Sequence, residues 1–145
     1  MSTTLVVGLD GESSGDRALE FGTRMAKLIG DAEILVVYII EWSPFSFQTA
    51  EENAQRHKRR EEEIAMAMER IVTPAVIRLS DDNVKARGMV KHGDVADTLN
   101  AVAVEQKAEQ IFISRSSEGG FSKRLFGSST ANLVMNASLP VTVVA

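Results

Sequence analysis

The chain has 145 residues, 44% hydrophobic and 25% charged, the proportions of one globular domain able to bury its own core. It has no cysteine, which excludes disulfides, thiolate nucleophiles and cysteine-based metal sites, and His57 and His92 lie too far apart in sequence to form a metal-ligand pair. A net charge of −4 gives nucleic acid no electrostatic attraction, no run reaches the ~20 apolar residues that span a bilayer, and MSTTLVVGLD lacks the basic segment of a secretory leader, so a soluble, cytoplasmic protein without nucleic-acid or membrane partners is expected.

Thr4 to Leu9 (TLVVGL) is apolar without polar alternation, as a strand covered on both faces requires. Asp10-Gly11-Glu12-Ser13-Ser14 supplies a turn and N-cap candidates. Ala18, Phe21, Gly22, Met25, Ala26 and Ile29 then recur at helical spacing until Gly30 stops the helix. Ala32 to Ile40 (AEILVVYII), rich in β-branched residues, is a second buried strand. Strand, helix, strand in this order is a βαβ unit, with parallel strands and a right-handed crossover.

Glu41 to Thr49 (EWSPFSFQT) is irregular, and its aromatics either fold back over the core or form an exposed patch for a ligand or partner. A long helix is expected from about Ala50 to Val72. Its EENAQRHKRREEE half is a solvated charge run containing a surface His57, and its Ile64, Met66, Met68, Ile71 and Val72 end is core filler. Thr73-Pro74 restarts a helix that ends at Asp81-Asp82-Asn83. The alternation in VKARGMVK (Val84 to Lys91) predicts a half-exposed strand with Gly88 as a weak point or bulge. His92-Gly93-Asp94 follows as a turn, with Asp94 capping a helix through about Gln106. Gln110 to Ile113 is a short strand, a helix spans about Ser128 to Asn136, and Leu139 to Ala145 (LPVTVVA) is a closing strand with Pro140 at its start or on an edge. Five strands alternating with four helical regions predict one α/β domain over residues 1–145: an open, mostly parallel, Rossmann-like sheet with helices on both faces.

Ligands of such sheets sit beyond the carboxyl ends of the strands, where strand order reverses. Asp10, Ile39 to Glu41 and Ser114 to Gly120 all follow strand ends. The stretch IFISRSSEGGFSKRLFGSS (Ile111 to Ser129) sets serines and glycines between a strand and a helix. Unpaired N–H groups and a positive partial charge at a helix start favour phosphate there, although Ser and Gly serve equally as cap and turn residues. No Ser-His or Cys-His pair with an orienting third group is evident, nor a GxxxxGK[ST] loop, so no catalytic residue and no metal ligand is expected, with slow ATP hydrolysis left open. His92 is read as a structural turn residue.

On these residues the chain resembles the universal stress proteins over essentially its full length. VVGLDGESSGDRAL resembles that family's first strand, its aspartate and the start of its first helix. AEILVVYII resembles the second strand, with Tyr38 where histidine is common, and VKHGD resembles the Gly-Asp turn. SRSSEGGFSKRLFGSSTANLVMNASLPVTVV aligns without a gap to the C-terminal signature. Members that bind ATP carry Gly, two residues, Gly, nine residues, then Gly-Ser or Gly-Thr. The same register here gives Ser114, Ser117 and Gly127-Ser128, with serine in place of both earlier glycines. A serine costs about 1 kcal/mol where the backbone turns left-handed, and its Cβ can clash with a phosphate, yet its hydroxyl can donate to a phosphate oxygen.

The resemblance implies ATP or another adenine nucleotide, with Mg²⁺. Asp10 would lie near the ribose or adenine, Ile39 against the base, and Ser114, Ser117, Gly127, Ser128 and Ser129 around the phosphates. Arg115 and Lys123 are cations of the same stretch to which the resemblance gives no role. It also implies a regulatory homodimer formed through the last strand. The alternative is a stress-response interaction protein that binds no nucleotide and acts through its dimer and partner surfaces, with the loop Trp42 to Phe47 as the partner site.

Overall fold

The structure, a computed structural model, describes residues 2–11, 15–41, 50–115 and 121–145, with residues 121–128 described by their backbone alone. The strands are β1 (Thr3–Leu9), β2 (Ala32–Glu41), β3 (Lys85–Gly93), β4 (Gln110–Ser114) and β5 (Val141–Val144). The helices are α1 (Gly15–Ile29), α2 (Ala50–Ala67), α3 (Thr73–Asp81), α4 (Val95–Glu105) and α5 (Phe121–Asn136). All strand pairs are parallel, in the order β3-β2-β1-β4-β5. This is the open α/β sheet that the alternation of elements predicts, and its order reverses between β1 and β4.

Successive residues of each strand point to opposite faces, and both faces are filled. Leu5, Val7, Ile34, Val36 and Phe112 pack with Ala18 and Leu19 of α1 and with Ala75 and Leu79 of α3. Val6, Leu35, Val37, Ile39, Ile111 and Ile113 pack with Leu99, Val102 and Ala103 of α4 and Leu133 of α5. Leu5 to Val7 and Ile34 to Val37 are fully buried, which is why these strands read as unbroken apolar runs. Each such side chain contributes roughly 1.5–3 kcal/mol on burial.

α2 and α3 form one continuous rod, joined by a π-helical turn at Met68–Val72. The Thr73 N–H reaches the Met68 carbonyl, five residues back. Pro74, in the first turn of α3, has no N–H to offer, and the widened turn carries the rod past it without a break. The same turn drives the buried Val72 onto β3. A Cβ on Gly88 would overlap Val72 Cγ1 and stand 3.3 Å from Val76 Cγ2.

Three sequence expectations are corrected. First, β3 runs in unbroken register through Gly88, opposite Val36, so the glycine marks a close helix–strand approach and not a bulge. Second, β3 continues through His92 to Gly93, opposite Ile40 and Glu41, leaving only Asp94 as a connection. The Asp94 carboxylate accepts from the Asp97 N–H at 3.0 Å, as an N-cap should. Third, α5 begins at Phe121 and not near Ser128. The sequence FSKRLF carries no breaker, and the helix continues through Gly127 at a cost of about 1 kcal/mol, so Gly127-Ser128-Ser129 lies within the helix.

His57 is exposed, 3.1 Å from Glu61, while the His92 side chain, 10% exposed, lies 3.1 Å from Glu63 of α2. Among the described residues, no helix is long and apolar enough to cross a membrane, and no cluster of three His, Cys, Asp or Glu could hold a metal. Ser117 and the aromatic segment 42–47 lie outside the described residues.

Gly88→Ala should destabilise the fold by about 1–3 kcal/mol, because Val72 is β-branched and stiff and occupies the space the new methyl needs. A urea midpoint equal to that of the parent protein would show that the rod and β3 are not in close contact.

Candidate functional site

Pairing between β1 and β4 stops early. Leu5 to Val7 face Gln110 to Phe112, whereas β1 stays paired with β2 as far as Leu9 and Tyr38. At the carboxyl ends of these strands a cleft of about 410 Å³ opens. β1 contributes Gly8 and Leu9, followed by Asp10; β4 contributes Ile113 and Ser114; and β2 contributes Tyr38 to Glu41. Val95 and Leu99 of α4, with Ser129, Thr130 and Leu133 of α5, complete it. A Cβ on Gly8 would stand 3.1 Å from Leu99 Cδ1 and 3.2 Å from Ile113 Cγ2. Any side chain there would crowd the cleft.

Ser114 is a strand residue opposite Val144. Its buried hydroxyl accepts a hydrogen bond from the Ala18 N–H of α1 at 2.9 Å. Among the described residues other than glycine, only Asn83 and Lys107 have positive φ. The left-handed cost of serine in place of glycine therefore does not arise at this position, and the hydroxyl serves to tie β4 to α1.

Asp10 is held in a related way. Its Oδ1 stands where a Cβ on Gly15 would be only 2.9 Å away, so the carboxylate sits against the first residue of α1. A negative charge is favourable at that helix end. Gly11, at φ +80°, carries the chain out of β1, and a Cβ there would stand 3.3 Å from the Tyr38 hydroxyl. The Arg17 guanidinium donates to the Arg115 carbonyl. Arg115 itself is exposed just beyond β4, with its N–H bonded to the Val144 carbonyl at 2.8 Å.

The structure thus brings Asp10, Ile39, Ser114 and Ser129 to one cleft. Ser117 and the side chains of Gly127, Ser128 and Lys123 fall outside the described residues, and Arg115 is not among the described lining residues. Gly8, Val95, Leu99, Thr130 and Leu133 were not foreseen. Gly8 had a signal, since it interrupts an otherwise apolar strand. The helical residues had none beyond lying on faces that meet the sheet. Chemically, Ile39, Leu99, Ile113 and Leu133 can hold a flat apolar ring, and the hydroxyls of Ser129 and Thr130 with the carboxylates of Asp10 and Glu41 can meet its polar substituents.

The model of the universal stress protein family matches residues 1–145. The fold is shared with solved structures of low sequence identity. Universal stress protein UspA from Lactobacillus plantarum is 16% identical, with a TM-score of 0.78 over 99% of this chain and 97% of that one. A universal stress protein in complex with cAMP is 22% identical, with a TM-score of 0.66 over 99% and 96%. A universal stress protein family protein from Arabidopsis thaliana with AMP bound is 16% identical, with a TM-score of 0.64 over 98% and 90%. No curated protein matches the chain.

Ser114→Ala should lower stability by about 1–3 kcal/mol, the cost of leaving a buried N–H unpaired, and Ser114→Gly should not restore the loss. A glycine variant as stable as the parent in chemical denaturation would show that the Ser114–Ala18 tie contributes nothing.

Proposed function

The chain belongs to the universal stress protein family, and we propose that it is a non-enzymatic, homodimeric stress-response module of the cytoplasm that binds an adenine nucleotide in the cleft beside β1 and β4. The observation that carries this reading is the convergence of Asp10, Ile39, Ser114 and Ser129 on one cleft of ligand size. That cleft lies where open α/β sheets bind their ligands. The cAMP and AMP of the two neighbouring structures add support.

In this reading Ile39, Leu99 and Ile113 contact the base, and the Asp10 carboxylate accepts from the ribose hydroxyls. The hydroxyls of Ser129 and Thr130 donate to phosphate oxygens, and Ser117, Gly127 and Ser128 are the further phosphate residues that the family resemblance implies. Ser114 contributes indirectly, by fixing the end of β4 against α1. Mg²⁺ bound with the phosphates would draw on oxygen ligands, of which the Asp10 carboxylate is one. The dimer would form through β5, an edge strand whose Val143 is 39% exposed, since an unpaired edge invites a second strand.

Calorimetric titration with AMP should give micromolar binding, and Asp10→Ala should weaken it by about tenfold or more, the scale of a lost hydrogen bond to a charged group. Absence of binding by adenosine, AMP, cAMP and ATP alike would end the nucleotide reading and leave the partner-binding one. In light scattering the parent protein should have dimer mass and Val143→Lys monomer mass. A dimer that persists in the variant would place the interface elsewhere.

A further inference from the structure

We infer that Glu41 is a specificity residue for the base: its carboxylate accepts a hydrogen bond from an exocyclic amino group, so the cleft takes an amino-bearing purine in preference to one without that group. The inference rests on the adenine-binding reading above and names a determinant of specificity within it.

Three strand ends meet at the cleft, and their order in the sheet is β2-β1-β4. Ile39 lies on the first, Asp10 follows the second, and α5, with Ser129 and Thr130, follows the third. That order matches the three parts of a nucleotide, with the base at β2, the ribose at β1 and the phosphate beside α5. In a purine nucleotide the ribose is joined to the five-membered ring, and the amino group of adenine projects from the six-membered ring on the opposite side. A base whose ribose is directed to β1 therefore turns its amino edge away from β1, toward the end of β2.

Glu41 stands at that end. β1 pairs with β2 as far as Leu9 and Tyr38, whereas β3 stays paired with β2 through Glu41 and Gly93. Ile39 to Glu41 thus run on past the β1 pairing as strand residues, held from one side by β3. Residues two apart in a strand point to the same face, separated by two steps of about 3.3 Å, so Glu41 is the next side chain after Ile39 on the side that lines the cleft. Ile39 is 7% exposed and Glu41 is exposed. The strand end offers an apolar surface for a ring and, one step outward, an acceptor for its edge. A carboxylate accepts and does not donate, and Asp or Glu paired with a base amino group is an established way of reading a base edge. A base edge without a donor leaves the carboxylate unmatched.

The test is calorimetric titration of the full chain, parent and Glu41→Ala, with AMP and with purine riboside 5′-monophosphate, which carries hydrogen in place of the amino group. The two ligands share ribose and phosphate, so the ratio of their affinities reports the amino group alone. AMP should bind the parent about tenfold more tightly than the analogue, and the ratio should fall to within about twofold of one in Glu41→Ala. Glu41→Gln, which keeps a neutral acceptor, should lie between the two. Equal affinities in the parent overturn the inference and leave purine binding intact. A preference for AMP that survives in Glu41→Ala, even with both affinities lowered, overturns the role of Glu41 and assigns the amino group to another acceptor. Binding of neither ligand to the parent removes the adenine reading and this inference with it.

Discussion

The short seam between β1 and β4, Leu5 to Val7 against Gln110 to Phe112, is the constraint from which the site follows. Crossovers between parallel strands are right-handed, so the direction in which the chain travels across the sheet decides which face each helix covers. From β1 the chain moves outward to β2 and then β3, and α1 and the α2–α3 rod cover one face. It then crosses back to β4 and continues to β5, which puts α4 and α5 on the other face. The helices that follow β1 and β4 lie on opposite faces of the sheet, and the cleft lies beside that seam. The topology sets where the cleft lies, the bare Gly8 leaves it open, and the other lining residues decide what it can hold.

Strand alternation then divides the work between neighbours. Ile113 faces α4 and α5 and lines the cleft, while Ser114 points the other way, to α1. A motif comparison treats Ser114 as a lost glycine and counts a loss of backbone freedom. The backbone there is extended, so freedom is not at issue. What the substitution changes is chemistry, by adding an acceptor that fixes a helix start. Asp10 is placed by the same helix start, which makes α1 the common support of both residues.

The parts of this arrangement that were legible in the sequence are those set by local chemistry. Unbroken apolar runs gave β1, β2 and β4, the β-branched tail gave β5, Asp94 announced α4, and Gly30, at φ +94°, closes α1. Convergence of Asp10, Ile39 and Ser114 followed from strand polarity alone, because every parallel strand ends at the same side. The illegible parts depend on what lies opposite a residue. Gly88 looks like a bulge until Val72 is placed against it. The start of α5 is hidden because glycine and serine at 127–129 resemble a helix boundary, whereas the preceding six residues contain nothing that prevents a helix. The contributions of α4 and α5 to the cleft required knowing which face they pack on.

Glycine has two distinct roles in this chain, and they bear differently on the site. Gly11 and Gly30 turn the backbone at positive φ, while Gly8, Gly15 and Gly22 let other groups approach. A Cβ on Gly22 would stand 2.9 Å from Val7 Cγ2, so α1 lies close on β1 because that position is bare. Close packing there brings the first turn of α1 level with the strand ends. At that height the Ala18 N–H meets Ser114 and Gly15 admits the Asp10 carboxylate. The placing of Asp10 beside the cleft is in this sense a consequence of how closely α1 packs on the sheet.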